Sequence, residues 1–367
     1  MTKTRVMIAI LLVAVAATIS FYYTDKQAQA LEDLKLKVTD GPYIFANNDQ
    51  LNALWLCNGE LEKETLDSST LPLSLSYCDL SANVHAMKAT TTDVLEYNGK
   101  FNVAAISDFH GQYDLMMQIL SNNNIVDAQA QWMFGNGHLV ITGDVFDRGD
   151  KVTEILWFLY ELEQQALQQG GRVHLLLGNH EVMVLNGDLR YLHPKYVETA
   201  NTIGMPFEQL FAENTILGDW LRAKPVLVKV NNMLFAHGGF HPSLAREKRT
   251  LSDINTVFKN NLVKAELTDE RQGWAKYLHK SDGPIWYRGY FKDNGASSEE
   301  IDLLLSHFDV QHLVVGHTSQ DTVQTRHQGR VIAIDSSIKK GQSGEILLVK
   351  GEHLIRGDHM GNQHPLR

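Results

Sequence analysis

Five short segments rich in aspartate, histidine and glycine occur along the chain, and each follows an apolar run. They are 108–111 (Asp-Phe-His-Gly), 143–149 (Gly-Asp-Val-Phe-Asp-Arg-Gly), 178–181 (Gly-Asn-His-Glu), 237–239 (His-Gly-Gly) and 316–318 (Gly-His-Thr). Imidazole, carboxylate and amide groups are ligands that suit Mn, Fe or Zn. The five segments together predict a centre with two divalent transition-metal ions. Such a centre can clamp a phosphate and activate a bridging water for in-line attack.

Six side chains in these segments are candidate metal ligands. Asp108 and His110 lie two residues apart on one loop and can bind one cation from the same side. Asp144 is the natural carboxylate to bridge two cations, which lie roughly 3.5–4 Å apart in such centres. Asn179 is also a candidate contact for the substrate phosphate. The ligands of the second cation would be Asp144, Asn179, His237 and His317.

Further residues have the chemistry to act on a phosphate held by such a centre. His180 is a candidate general acid, and Asp147 could orient its imidazole so that it protonates the leaving oxygen. Arg148 offers a planar fork of donors for two phosphate oxygens. Arg288 is the best candidate for a second clamp. Arg190 could face the same cleft.

These assignments have structural alternatives. A single Asp or His after a strand is more often a helix cap or a satisfied polar group than a ligand, and only the joint pattern favours ligands. Arg148 could form a structural salt bridge instead. The Trp286-Tyr287 pair beside Arg288 could mark a packed corner. His174 lies inside an apolar run and is predicted to belong to the core.

The segments depend on strands and helices that alternate from residue 101 onward. Amphipathic spacing over 152–169 predicts a helix. The β-α-β-α-β order implies a largely parallel core sheet, in which ligands bind at the carboxyl ends of the strands. Three apolar runs predict strands that end at Asp108, Asp144 and Asn179: 103–106, 139–141 and 173–177.

The chain divides into a small N-terminal region and a larger catalytic domain. Residues 31–100 carry no catalytic motif and predict a β-rich region with short strands and a polar loop at 60–69. Residues 101–356 carry all five segments and form the predicted catalytic domain. Residues 357–367 are a polar tail that is expected to fray.

Residues 1–30 have the features of a secretory signal peptide. Lys3 and Arg5 precede an apolar run at 6–23, and 28–30 is an Ala-x-Ala pattern. The alternative is an uncleaved anchor, since 6–23 approaches the length that spans a membrane. A third interpretation is an ordinary buried helix. The first two export the rest of the protein, with the periplasm as the expected location.

Cys57 and Cys78 are the two cysteines of the chain. In an exported protein, two cysteines this close in sequence can form a disulfide, which is the favoured interpretation. Two buried free thiols are the alternative. Neither cysteine lies near the metal segments, which argues against a catalytic thiol.

The composition excludes some classes of function. Hydrophobic residues make up 44% of the 367 residues, which is enough for a sizeable core. The net charge of −10 argues against nucleic acid as a partner, because such binding needs a basic surface. An acidic substrate remains compatible with this charge, because the metal ions would supply local positive charge.

The segments resemble those of the metallophosphoesterase superfamily. Arg148 and Glu181 resemble the pattern of PPP-type phosphoprotein phosphatases. The segments 283–289 (Gly-Pro-Ile-Trp-Tyr-Arg-Gly) and 315–319 resemble the Shewanella-like protein phosphatases within that group. The resemblance covers about residues 38 to 356.

This resemblance implies an α/β fold with a central β-sandwich flanked by helices, rather than one parallel sheet. It also implies the acid pair of His180 with Asp147, and Arg148 and Arg288 on the phosphate. Many members of the superfamily have a last histidine ligand where this chain has Ser319, so the first metal site should have fewer protein ligands. The implied metal ligands are Asp108, His110, Asp144, Asn179, His237 and His317.

The leading hypothesis is therefore a metal-dependent phosphomonoesterase in which a metal-bridging hydroxide attacks phosphorus. Its substrates would be phosphorylated proteins, with phosphotyrosine or phosphoserine/threonine, or small phosphomonoesters. The alternative is a metallophosphoesterase that acts on nucleotides or phosphodiesters. A non-enzymatic phosphate-binding or metal-binding module would predict a missing ligand or acid, and none is missing.

Overall fold

The computed structural model describes residues 26, 29, 38–85 and 94–366. The strands of this part of the chain are β1 Asp40–Asn47, β2 Gln50–Cys57, β3 Glu60–Asp67, β4 Leu73–Tyr77, β5 Leu80–Val84, β6 Glu96–Tyr97, β7 Val103–Ile106, β8 His138–Ile141, β9 Arg172–Leu175, β10 Leu227–Val230, β11 Met233–Ala236, β12 His312–Val315, β13 Gln324–Arg326, β14 Val331–Ala333, β15 Glu345–Lys350, β16 His353–Asp358 and β17 Gln363–Pro365. Its α-helices are α1 Tyr113–Asn122, α2 Val152–Gln168, α3 Asn179–Leu185, α4 Pro194–Ile203, α5 Ile216–Arg222, α6 Ser243–Arg246, α7 Leu251–Lys259, α8 Gly273–Leu278 and α9 Ser298–Phe308.

Two six-stranded mixed sheets form the centre of the molecule. One has the order β13-β14-β12-β11-β10-β6, and the other β17-β16-β15-β7-β8-β9. An apolar cluster draws residues from both sheets, including Ala105 and Val140 from one and Phe235 and Val314 from the other. The two sheets therefore pack face to face as a β-sandwich.

The inner strands of the sandwich are buried on both faces, and alternate residues serve the two sides. In β7, Val103 and Ala105 belong to the core between the sheets, whereas Ala104 and Ile106 belong to the outer core. Successive strand residues point to opposite faces, so a continuous apolar run fits a strand covered on each side. This burial explains why the sequence shows apolar runs instead of alternation.

Helices cover the outer faces of the sandwich. In α2, buried residues recur three or four positions apart, at Val152, Ile155, Leu159, Leu162 and Ala166. This spacing places them on one stripe of the helix, which packs against the outer core. The predicted helix at 152–169 is therefore confirmed to within one residue.

Each sheet contains three neighbouring parallel strands. These are β7, β8 and β9 in one sheet, and β11, β12 and β14 in the other. The single parallel sheet suggested by the β-α-β order is wrong, because later strands add antiparallel partners and a second sheet. The sandwich that the resemblance implied is the observed architecture.

The N-terminal region is rich in strands, as predicted. β1, β2 and β3 form one antiparallel sheet, and β4 pairs with β5. The prediction of a polar loop at 60–69 is wrong, because 60–67 forms β3 at the edge of this sheet. Its charged residues point to water, which is usual for an edge strand. A disulfide joins Cys57 at the end of β2 to Cys78 in the β4–β5 turn.

Two predictions concern the ends of the chain. The prediction that the tail at 357–367 frays is wrong for 363–365, because these residues form β17 and pair with 355–357 of β16. The predicted signal peptide or anchor lies almost wholly outside the described residues. Among the residues that the structure describes, no helix is long and apolar enough to cross a membrane.

Candidate active site

The predicted site residues converge at one end of the sandwich. Asp108, Asp144 and Asn179 follow the parallel strands β7, β8 and β9. His237 and His317 follow β11 and β12 of the other sheet. The carboxyl ends of the parallel strands in both sheets thus supply the groups of one site, as expected for ligands in α/β proteins.

The backbone of these loops is left-handed at most of the site residues. Such φ values are uncommon outside glycine and cluster where the surrounding structure holds a functional geometry. The loops therefore turn sharply after each strand, which points the side chains into one space. The site residues with φ between 47° and 71° are Asp108, His110, Asp144, Asp147, Arg148 and His317.

Four side chains form a tight cluster around Nε2 of His237. This atom lies 3.2 Å from Oδ2 of Asp144, 2.9 Å from Oδ1 of Asn179 and 3.1 Å from Nδ1 of His317. Nδ1 of His237 donates a hydrogen bond to the carbonyl of Thr142, which leaves Nε2 directed into the cluster. Such a carbonyl contact is the usual way in which a protein orients a metal-binding histidine.

A second cluster shares the Asp144 carboxylate. Nε2 of His110 lies 3.6 Å from Oδ2 of Asp144 and 4.0 Å from Oδ1 of Asp108. The carbonyl of Phe146 accepts a hydrogen bond from Nδ1 of His110, so Nε2 is free to bind a cation. His180 lies close as well, with Nε2 3.9 Å from the same Asp144 oxygen. Asp144 thus belongs to both groups of side chains that could hold a metal ion.

Burial and neighbouring charges shift the pKa values of these groups strongly. Burial and the nearby Asp335 and Asp144 carboxylates raise the pKa of Asp108 to about 8. Burial lowers the pKa of His237, but Asp144 and Asp108 outweigh it and raise the value to about 9. Burial and His237 lower the pKa of His317 to about 2.

The donor set fits two divalent cations. Burial lowers the pKa of His110 to about 3, so its imidazole is neutral and able to coordinate. His237 would release its proton when a cation binds at Nε2. The mixture of imidazole, carboxylate and amide ligands suits a transition metal better than calcium.

His180 and Asp147 form a close pair beside these clusters. Nδ1 of His180 lies 2.5 Å from Oδ2 of Asp147, and Asp147 is fully buried. Burial alone would lower the pKa of His180, but the carboxylates of Asp144 and Asp147 outweigh it and raise the pKa. The imidazole therefore holds a proton more firmly than a free histidine does, as an acid requires.

The clusters open into a cavity of about 320 Å³ lined with cationic side chains. Arg148 lies at one side, with Nη2 3.4 Å from Nε2 of His180. Arg288 lies on the His317 side and donates hydrogen bonds to the His317 carbonyl and to Thr318. Arg190 also lines the cavity and is held by Asp188. The predicted arginines are thus brought together with the predicted ligands.

Glu181 holds the loop that carries Asp144. Its two buried carboxylate oxygens accept hydrogen bonds from the backbone N–H groups of Asp144, Val145, Phe146 and Gly178. Gly178 allows this close approach, because a Cβ atom there would lie 2.4 Å from Oδ1 of Asp144. Sequence reasoning used Glu181 only as a family marker, and the structure shows what it binds.

Sequence reasoning missed several residues that line the cavity. Tyr191 packs against the His180 ring and beneath the Arg148 guanidinium. Trp286 packs edge-on against His317, so this segment is both a packed corner and a cavity wall. Lys339 also lines the cavity. The sequence contained a signal for this segment, because the apolar run at 331–334 is followed by Asp335, just as other strands of the site are followed by an aspartate.

Comparison with known families agrees with this geometry. The family model described as calcineurin-like phosphoesterase matches residues 101–321, which hold all five segments. The chain belongs to the calcineurin-like phosphoesterase family. The predicted resemblance is confirmed, and the chain is a metal-dependent phosphatase.

Individual solved structures and curated proteins are also similar to this chain. The crystal structure of a cold-active protein-tyrosine phosphatase of a psychrophile, Shewanella sp., matches with 39% identity and a TM-score of 0.81, over 90% of this chain and 99% of that one. Shewanella-like protein phosphatase 1 of Plasmodium berghei is 32% identical over 63% of this chain and 64% of its own length. An uncharacterized protein of Schizosaccharomyces pombe is 31% identical over 66% of this chain and 75% of its own length.

Proposed function

We propose that this calcineurin-like phosphoesterase is a phosphoprotein phosphatase that hydrolyses phosphotyrosine or phosphoserine/threonine. The observation that carries the proposal is the position of Asp144, which belongs to two potential metal groups beside an imidazole–carboxylate pair. The likeness to a protein-tyrosine phosphatase over nearly its whole length supports the substrate class.

The first metal would be held by Asp108, His110 and Asp144, with Ser319 in the place of a further histidine. Asp144, Asn179, His237 and His317 would hold the second. Mn, Fe or Zn fits these ligands. When bound, two such cations supply an activated water and neutralise charge on phosphorus oxygens.

The other residues act on the substrate. Arg148 and Arg288 would bind the phosphoryl oxygens from opposite sides of the cavity, and Asn179 would contact the same group. Asp147 would orient the His180 ring and stabilise its protonated form, and His180 would give this proton to the leaving oxygen. His180 lines the cavity and Asp147 lies buried behind it, and the reaction needs no covalent intermediate with the protein.

The proposal is tested by steady-state hydrolysis of matched substrates with Mn, Fe or Zn in turn. The panel contains one peptide phosphorylated on tyrosine, its phosphoserine counterpart, a dinucleoside polyphosphate and a phosphodiester. We expect the highest kcat/KM for one of the phosphopeptides. Higher kcat/KM for the nucleotide or the diester would overturn the proposal in favour of the alternative.

Asp144→Asn should abolish turnover with every metal, and retained activity would contradict the bridging role.

We also propose that the protein is exported, with the periplasm as its location. The basic residues and apolar run of 1–30 support this, as does the disulfide between Cys57 and Cys78, since disulfides persist in oxidising compartments. Cleavage after Ala30 would give a mature chain that starts at Leu31. N-terminal sequencing of the protein recovered from its native membrane and soluble fractions tests this. An intact Met1 in the membrane fraction would indicate the anchor at 6–23 instead.

A further inference from the structure

Lys339 lies on the wall of the catalytic cavity, in a segment without a recognised motif. It belongs to a short 3-10 turn, Ile338–Lys340, that follows β14. Its side chain is 22% exposed and lines the same cavity as Asp108, His317 and Arg288. The Lys339 ammonium group can therefore contact an anionic substrate bound in the cavity.

A buried carboxylate fixes the ammonium group. Lys339 Nζ donates a hydrogen bond to Oγ of Ser319 and lies 3.7 Å from Oδ2 of Asp335, which is fully buried. Ser319 in turn donates to the same Asp335 oxygen at 2.7 Å, and the backbone of Ser337 donates to the other at 3.0 Å. The position of the lysine head group is thus set by two partners.

Ser319 stands where many members of the superfamily have a histidine ligand, and it also positions Lys339. Its hydroxyl faces Lys339, while the adjacent Thr318 and His317 accept hydrogen bonds from Arg288. The 317–319 loop therefore holds two cationic side chains on its flanks. Arg148, from the 143–149 segment, lines the same cavity beside His180.

We propose that Lys339 is a third cationic contact for the phosphoryl group of the substrate. The proposal rests on the proposed function of this cavity and deepens it. An ammonium group has three donors. Ser319 accepts one of them, and Asp335 at 3.7 Å is an ion-pair partner beyond hydrogen-bond distance, which leaves donors for a phosphate oxygen in the cavity. The competing explanation is that Lys339 only neutralises the charge of Asp335, in which case it makes no contact with phosphate.

The test measures binding of inorganic phosphate to the full-length, Mn-loaded protein by calorimetry, which does not depend on turnover. Lys339→Met should raise the Kd for phosphate about tenfold, since a charged hydrogen bond is worth roughly one such factor or more. Lys339→Arg should stay within about threefold of the wild type, because it keeps the charge. The matched control is Lys340→Met, which removes the exposed neighbouring lysine and should leave the Kd unchanged.

A double variant separates substrate contact from charge balance. Asp335→Asn with Lys339→Met removes the carboxylate together with its partner, which guards against misfolding caused by an unpaired Asp335. If Lys339 binds phosphate, the double variant still binds weakly. Wild-type affinity in Lys339→Met, or recovery of affinity in the double variant, would overturn the proposal.

The role of Lys339 and the proposed substrate class can be contradicted independently of each other. A wild-type protein that binds phosphate through Lys339 but prefers nucleotides would contradict the phosphoprotein assignment alone. A wild-type protein that prefers phosphopeptides, with unchanged phosphate affinity in Lys339→Met, would contradict the role of Lys339 alone.

Discussion

At the scale of single residues, the site depends on which atom of each side chain is left free. The backbone carbonyls of Phe146 and Thr142 accept hydrogen bonds from Nδ1 of His110 and His237, so that both Nε2 atoms face Asp144. His180 differs, because its Nδ1 donates to a carboxylate. His110 and His237 are therefore suited to coordination, and His180 to proton transfer.

This difference predicts the outcome of His180→Asn. The variant keeps a polar side chain but lacks a group that can donate a proton at neutral pH. We expect kcat to fall by roughly 10²–10⁴, the usual contribution of a general acid, while the metal content stays the same. Steady-state kinetics with elemental analysis of the purified protein measures both quantities.

Metal content decides between two roles for His180. Its Nε2 lies near Asp144, so loss of one metal ion in His180→Asn would show that it is a ligand and that the acid assignment is wrong. His353→Asn is the matched control, because this histidine is exposed and lies in β16. It should leave both kcat and metal content unchanged.

At the scale of elements, loops after parallel strands hold the candidate ligands, and short helices brace the loops. The first turn of α3 carries Asn179 and His180 into the site and Glu181 beneath it. Because Glu181 binds three N–H groups of the 143–149 segment, the position of Asp144 depends on α3. The candidate ligand Asp144, in the loop after β8, and the candidate ligand Asn179 on α3 are thereby fixed relative to each other.

Glu181→Gln should therefore damage both stability and metal binding. Each carboxylate oxygen accepts two backbone N–H groups, and the amide would place an NH₂ group against one of these pairs. Leaving two buried donors unpaired costs about 1–3 kcal/mol each, so we expect a loss of about 2–6 kcal/mol. Denaturant unfolding and metal titration measure the effect. Wild-type values for both would contradict the bracing role, and exposed Glu247→Gln serves as the control.

The disulfide acts on a different element. It closes a loop with a sequence separation of 21 between β2 and the β4–β5 turn, away from the metal ligands. Cys57→Ser with Cys78→Ser should lower the free energy of unfolding by about 3 kcal/mol, through greater freedom of the unfolded chain. Calorimetry with and without a reducing agent checks this. Kcat measured well below the unfolding temperature should not change, and a large fall in kcat would show that this region shapes the site.

At the scale of the whole molecule, the sandwich buries histidines that have no part in the site. His138 on β8 and His174 on β9 lie 2.9 Å apart between Nδ1 and Nε2, beneath Tyr97 and Phe101. Burial and Arg172 lower the pKa of His138 to about 4. Burial, followed by His138, Arg172 and Lys224, lowers the pKa of His174 to about 3.

These shifts predict loss of stability in mild acid. Below pH 6.5 the unfolded chain binds protons at both histidines, whereas the folded protein does not until about pH 4. The unfolded state therefore gains protons as the pH falls, and stability decreases between pH 6.5 and 4. Denaturant unfolding across this range should show a weaker pH dependence for His138→Phe with His174→Phe than for the wild type. An equal pH dependence would contradict this role for the pair.

Much of the site was readable in the sequence, because its chemistry depends on residue types in short segments. Asp144, Asn179 and His237 each follow an apolar run and stand beside glycine or another polar residue of the motif. The apolar runs also predicted β7, β8 and β9, since strands buried on both faces need continuous apolar side chains. Polar β3 and β17 were missed, because an edge strand pairs through its backbone and needs no apolar pattern.

The sequence by itself determined the reaction class, and it predicted the ligand set and the acid pair. Only the tertiary structure decided which groups share Asp144, that Glu181 braces its loop and that Lys339 and Ser319 lie beside Asp335. The physical reason is that ligand type is a property of single residues, whereas distance depends on how two sheets pack. Strand ends from separate parts of the chain meet only when both apolar faces of the sandwich are buried together.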